Sequence, residues 1–282
     1  MKKLIVILLT LTLVVASVIG LAACDNNTII VYTEAGFAPF EYLEDGQIVG
    51  VDVDIMNLVG QKLGKKVKFE NVGFDTIVDA VSKGKLCNVG AAGLSVTPER
   101  EEKVAFSKVY YTASLYVIYK KTNASIYESQ TTDNVKGVYW DSLAGKTIAV
   151  QSGTTADLFL GDELAEGGIL YGTGAVDMQC STLAIAVNNV SSSGDADVFI
   201  IDELPAQVLV NADDTLACAP LYYKGDESAQ DEAAVDQYAI CVTKGQTQLL
   251  AAINEVLDEL LANNGEGINK LVNKHLGLTV ED

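Results

Sequence analysis

Short β-branched runs alternate with segments of helical period along this chain. Ile29-Ile30-Val31-Tyr32 reads as a strand, and a helix is expected from about Asp52 to Leu63, with Val53, Met56, Val59 and Leu63 on one face. Asp52 stands at its start as a candidate cap. Val67-Lys68-Phe69 predicts a second strand, Phe74 to Val81 a second helix, and Val89-Gly90-Ala91-Ala92 a strand of small residues. Thr97-Pro98-Glu99-Arg100 opens a further helix, with Pro at its first position.

After a polar, weakly patterned stretch from Lys121 to Gly145, expected to be a surface loop, the alternation restarts. Thr147-Ile148-Ala149-Val150 reads as a strand, Ser152-Gly153-Thr154-Thr155 as the turn into a helix, and Val198-Phe199-Ile200-Ile201 as a strand ending at Asp202. Ser191 to Gly194 reads as a turn. Tyr238 to Val242 is expected as a late strand and Gln248 to Ala262 as an amphipathic helix. Strands alternating with helices predict an α/β architecture of two lobes, each a mainly parallel sheet flanked by helices. With no flexible linker between the two units, strands should join them; Tyr110-Tyr111-Thr112 and the stretch near Gln237 are the candidate crossings. The expected division is 24–112 plus 238–282 for one lobe and 113–237 for the other.

The N-terminus stands apart. Met1-Lys2-Lys3 precedes a mostly apolar run from Leu4 to Leu21, which closes on Leu21-Ala22-Ala23-Cys24. That is the three-part pattern of an export signal, although the run is barely long enough to span a membrane as a retained anchor. A Cys directly after Leu-Ala-Ala resembles a bacterial lipoprotein signal, with residues 1–23 removed and Cys24 lipidated. The expected location is extracytoplasmic, tethered to the cell membrane through that lipid.

Composition sharpens the picture in two ways. The 282 residues are 49% hydrophobic and 20% charged, as a globular protein with an ample core requires. A net charge of −19 excludes nucleic-acid binding, which rests on Lys and Arg neutralising phosphates. Cys87, Cys180, Cys218 and Cys241 could form two bridges in an exported chain; lacking metal-ligand spacing, they read instead as free thiols, most of them in apolar surroundings.

Ligands of open α/β sheets sit beyond the carboxyl ends of the strands. The residues that follow the predicted strands are Glu34 and Phe37; Gly93, Ser95 and then Arg100; Gln151, Gly153, Thr154 and Thr155; and Asp202. Arg100 is the only arginine, and it sits in a first helical turn, where the helix dipole disfavours positive charge. A guanidinium there makes a fork for a carboxylate; a salt bridge to a neighbouring acid is the plainer alternative. The Ser152–Thr155 turn offers backbone N–H groups to an anion, or merely caps its helix. Asp202 can pair with an ammonium or cap the next helix. A group for a carboxylate and a group for an amine together describe a free amino acid. Phe37 and Phe74 could bracket its side chain.

Gly36-Phe37-Ala38-Pro39-Phe40-Glu41-Tyr42, Gly50-Val51-Asp52-Val53-Asp54, Gly93-Leu94-Ser95-Val96-Thr97-Pro98-Glu99-Arg100 and Ser152-Gly153-Thr154-Thr155 occur in the order of a known family. The chain resembles the extracytoplasmic amino-acid-binding proteins of ABC importers, solute-binding protein family 3, with the type II periplasmic-binding fold. The resemblance implies that Arg100 and the Thr154/Thr155 region grip the ligand α-carboxylate. It implies that Ser95, the Gly93 carbonyl and Asp202 hold the α-ammonium, while Phe37 and Phe74 line the side-chain pocket and Gln151 faces the side chain. Glu34 stands where members that take cationic amino acids tend to carry an acid. Asn88 departs from the family's usual Asp, and the Lys121–Gly145 region is longer than usual. The implied partners are a free amino acid and a membrane permease; no cofactor or metal is called for, and a monomer is expected. The alternative is an enzyme of the periplasmic cyclohexadienyl dehydratase kind, on the same fold, for which Glu34 is the sole nearby acid.

Overall fold

A computed structural model describes residues 27–225 and 229–278. The predicted signal segment and Cys24 lie outside the described residues. Two sheets organise the rest. In the first, Thr28–Thr33 pairs in parallel with Lys66–Asn71 and with Val89–Gly90, and Cys241–Val242 joins antiparallel between Val89–Gly90 and Ala105–Phe106. In the second, Thr147–Gln151 pairs in parallel with Val176–Cys180 and Val198–Asp202. The long strand Tyr111–Lys120 then runs antiparallel between Val198–Asp202 and Leu216–Tyr223. Each sheet therefore has a parallel run to which returning strands add antiparallel neighbours.

Residue alternation along each strand feeds two cores per sheet. In the first strand Ile29 and Val31 face a core shared by the helices Val51–Leu63 and Thr247–His275, while Ile30 and Tyr32 turn towards Ile77, Val81 and Leu94. In the second sheet Val117, Tyr119, Ile148 and Val150 share one core; Ile118, Ala149 and Phe199 share the other. Of the predicted helical face, Val53, Met56 and Val59 are buried and Leu63 is partly so.

Asp52 is not the cap of the Val51–Leu63 helix. Gly50 holds that position with φ 139, where a Cβ would lie 2.0 Å from the Phe40 carbonyl oxygen, so only glycine fits. Asp52 is instead buried two residues further in, within the helix's first turn. The Lys121–Gly145 region is not a surface loop. It forms helical turns over Lys121–Tyr127 and Trp140–Leu143 and strands over Glu128–Gln130 and Lys136–Tyr139, and it buries Tyr127, Val138, Trp140 and Leu143 in the second sheet's core. Charged residues on its outer side obscure those inward positions. The Ser191–Gly194 stretch is a wide helical turn continuing Leu183–Asn188 and ending at Gly194, φ 72.

The expected strand Tyr238–Val242 divides in two. Val235–Tyr238 pairs antiparallel with the start of Tyr111–Lys120, Tyr238 opposite Tyr111 and Gln237 opposite Thr112, and after Ala239–Ile240 the chain enters the first sheet as Cys241–Val242. Both expected crossings thus lie side by side as a two-stranded ribbon. The amphipathic helix from Thr247 breaks at Ala262–Gly265, where Asn263 and Asn264 take left-handed conformations before a second helical piece runs to His275. Cys87, Cys180, Cys218 and Cys241 are all free thiols.

Candidate functional site

The strand ends of the two sheets converge on a small, tightly closed cavity. Glu34, Phe37, Phe74, Gly93, Ser95, Gln151, Thr154, Thr155 and Asp202 line it, together with Glu41 and Ala92. In small-molecule pockets a few placed polar groups of this kind fix orientation. A larger surface groove beside Leu63 and Leu86 has only lysine side chains, Lys65 and Lys85, as its charges.

Arg100 lies at the edge of this cavity, not among its lining residues. The Pro98–Lys103 helix begins at Thr97, whose hydroxyl accepts from the Arg100 backbone N–H at 3.2 Å. From there the Arg100 side chain turns inward and is 7% exposed. Nη1 donates to the Ser95 carbonyl at 2.7 Å and Nη2 to the Gly153 carbonyl at 2.9 Å. These bonds tie the first sheet's loop to the turn after Thr147–Gln151. The guanidinium also lies 5.6 Å from the centre of the Phe74 ring, within cation–π range. Burial lowers its pKa, and the nearby Asp236 carboxylate offsets part of that.

The Ser152–Thr155 turn is largely committed internally. Ser152 N–H donates to the Cys180 carbonyl, Gly153 N–H to Asp157 Oδ2 and Thr154 N–H to the Gln151 carbonyl. The Thr154 hydroxyl caps the helix Thr155–Leu164 by accepting from Asp157 N–H at 3.3 Å. The N–H groups of Thr155 and Ala156, in the helix's first turn, have no intrahelical acceptor and are the ones available to an anion. The Thr155 hydroxyl donates to Asp236 and stands 3.3 Å from the Ser95 hydroxyl, a polar contact that spans the cavity wall.

Acidic groups dominate the electrostatics. Asp202 heads the helix Glu203–Ala212 without a side-chain cap bond, and its Oδ1 is buried with no hydrogen-bond partner among the described residues. Burial, reinforced by Asp236, raises its pKa well above the usual carboxylate range. Glu34, half-buried, is raised by burial. Gln151 Nε2 meets no acceptor at hydrogen-bond distance among the described residues, although Glu34 stands beside it. Gly93, with φ +53, donates its N–H to Asp52 Oδ2 at 3.0 Å, and the Tyr110 hydroxyl donates to Asp52 Oδ1 at 2.5 Å. Despite those donors, burial pushes Asp52 up to about 6.

Three contributors escaped the sequence reading: Glu41, Asp236 and Tyr238. Asp236 carried a usable signal, because Ala234, Asp236 and Tyr238 are the inward positions of a period-two pattern. Glu41 carried none beyond its place between Phe40 and Tyr42.

Two lobes that close unmatched buried donors and acceptors into one small cavity define a protein that binds a small polar solute. The chain belongs to the bacterial extracellular solute-binding proteins, family 3, whose pattern matches residues 29–278. It is similar to the arginine-binding extracellular protein ArtP of Bacillus subtilis (strain 168), 32% identical over 155 residues; the match covers 51% of this chain and 56% of ArtP. The chain thus spans little more than half the length of that curated relative. An L-arginine-binding protein of Pseudomonas aeruginosa is 26% identical across 93% of both chains. Among solved structures, the L-arginine-bound ABC transporter substrate-binding protein AbpA of Streptococcus pneumoniae superposes with a TM-score of 0.72 at 25% identity, covering 91% of this chain and 97% of AbpA. Each of these relatives is named for binding and none for catalysis, and the dehydratase alternative is set aside.

Proposed function

We propose that this chain is the solute-binding component of an amino-acid ABC importer, taking a cationic amino acid (arginine, lysine or histidine) into the cavity and delivering it to a membrane permease. The observation that carries this reading is the excess of carboxyl groups that an opposite charge would ionise: Glu34, Glu41 and Asp202 line the cavity, with Asp52 and Asp236 behind them, and Arg100 is the one base at its edge among the described residues. A zwitterion adds no net charge, so a cationic side chain is what such an enclosure favours. The arginine-binding names of several relatives support the same choice.

In this reading Arg100 and the first N–H groups of the Thr155–Leu164 helix hold the α-carboxylate. Asp202, Ser95 and the Gly93 carbonyl hold the α-ammonium. Phe37 and Phe74 flank the side chain, which ends near Glu34 and Gln151. The lobes are 24–112 plus 238–282 and 113–237, and ligand contacts to both shift the population towards closure. Lipid on Cys24 would hold the protein, as a monomer, at the outer face of the membrane.

The test is a melting-temperature screen against the twenty amino acids, since a ligand at a thousandfold its Kd adds about 4 kcal/mol of stability. Arginine, lysine or histidine should give the largest rise. Glu34→Gln should weaken those ligands by about tenfold or more, through loss of a desolvated charge partner, and spare neutral ones. A neutral or acidic amino acid giving the largest rise would refute the reading.

A further inference from the structure

We propose that Glu41 is a second carboxyl that reads the ligand's side chain, sharing a proton with Asp52 until a cationic group enters the cavity and that proton leaves to solvent. The inference rests on the cationic-ligand reading above and extends it to a residue outside the implied ligand set.

Glu41 opens the strand Glu41–Glu44 opposite Phe37, which places it on the cavity wall. It is 1% exposed, and no donor group meets its carboxyl oxygens among the described residues; the group within hydrogen-bond reach is another acid, Asp52. A buried acid serving only the fold would face a donor and not a second acid, because an unmet buried polar group costs folding free energy. The charged groups that face Glu41 are acids from three directions: Asp52 from the Val51–Leu63 helix, Glu34 from beyond the first strand and Asp202 from the second sheet.

Two carboxylates side by side in a buried site cannot both stay ionised. Asp52 has the donors for a negative charge, Tyr110 O–H and Gly93 N–H. Glu41 has none, so the proton belongs on Glu41, whose neutral acid can donate to Asp52. Burial, with Asp52 adding to it, correspondingly holds Glu41 well above its ordinary range. A guanidinium or ammonium entering the cavity supplies both the donors and the opposite charge. Glu41 then ionises, its O–H bond breaks, and the proton passes to buffer.

The experiment is calorimetric titration of the full chain near neutral pH with arginine and with citrulline, its neutral isostere, in phosphate and in Tris. The dependence of the heat on buffer ionisation enthalpy counts protons exchanged. Asp202 meets the same α-ammonium in both ligands, so its contribution cancels in the difference. About one more proton should be released with arginine than with citrulline. In Glu41→Gln, whose amide can still donate to Asp52, that difference should vanish and arginine affinity should fall about tenfold or more. In Glu34→Gln the difference should persist. Equal proton release for the two ligands in the unmodified protein overturns the proposal even if Glu41→Gln fails to fold, as does a Glu41→Gln protein with unchanged affinity and release. No heat from arginine, lysine or histidine would instead overturn the cationic-ligand reading.

Discussion

Asp202→Asn should weaken binding and strengthen the empty fold at the same time. The substitution keeps the side chain's shape and its competence at the start of the Glu203–Ala212 helix, since Asn and Asp are equivalent there. It removes an ionisable carboxyl whose Oδ1 is buried without a partner among the described residues and which lies close to a second buried acid, Asp236. Burial and Asp236 raise Asp202 from 3.8 to about 8. Between those values the folded chain keeps a proton that the unfolded chain has released, so stability falls by about 1.4 kcal/mol for each unit of rising pH. At neutral pH the full burden is on the order of 4 kcal/mol by that rule, and Asp236 carries part of it. A gain of about 2 kcal/mol in the unliganded variant corresponds to a melting-temperature rise of about 4–8 °C in a chain of this size. Binding should move the other way: losing a charged acceptor for the ligand ammonium costs about 1.5–3 kcal/mol, or roughly 10- to 150-fold in Kd. Scanning calorimetry of ligand-stripped protein and titration calorimetry read the two effects separately. A variant that melts lower while binding as before would show that Asp202 supports the fold and does not contact ligand.

Two further outcomes follow from the same geometry. Because Asp52 and Asp202 are both raised, to about 6 and about 8, the unliganded protein should lose melting temperature steadily as pH rises from about 4 to about 8, and saturating arginine should flatten that slope; a melting temperature that climbs over this window would contradict it. Arg100→Ala removes the fork to Ser95 and Gly153 along with the carboxylate bonds proposed for it, so affinity should fall by about 10²- to 10⁴-fold; Arg100→Lys should recover little, because a point charge cannot reproduce the planar fork. Titration calorimetry with arginine distinguishes these from a site that does not use Arg100.

Much of the cavity was legible because its residues obey one rule: they follow strands. Glu34, Gly93, Gln151 and Asp202 could be placed without knowing how the strands are ordered, and Ser95, Thr154 and Thr155 came with them. Residues whose role depends on tertiary approach were harder. Asp52 has the sequence position of a helix cap, but Gly50, pressed against Phe40, takes that place and turns Asp52 inward to Gly93 and Tyr110. Glu41 reaches the cavity only because its short strand pairs with Gly36–Phe37, a register no local pattern announces. Arg100 stands out in the sequence as the sole arginine, yet its bond to Gly153 joins residues far apart in sequence. The Lys121–Gly145 region failed for the opposite reason: its apolar residues are spread over four short elements, too few per element to show a period.

The ribbon formed by Tyr111–Lys120 and Val235–Tyr238 restricts what the cleft can do. Two separate threads would let the halves twist and slide freely. Strands laced together by ladder hydrogen bonds bend more readily out of their plane than within it, in the manner of a leaf spring. In the proposed closure the ribbon guides the halves along a single arc, which returns Arg100 to the Gly153 carbonyl each time. On the proposed assignment of the site, the orientation of a solute's two ends is in this sense written into the strap, before any solute arrives.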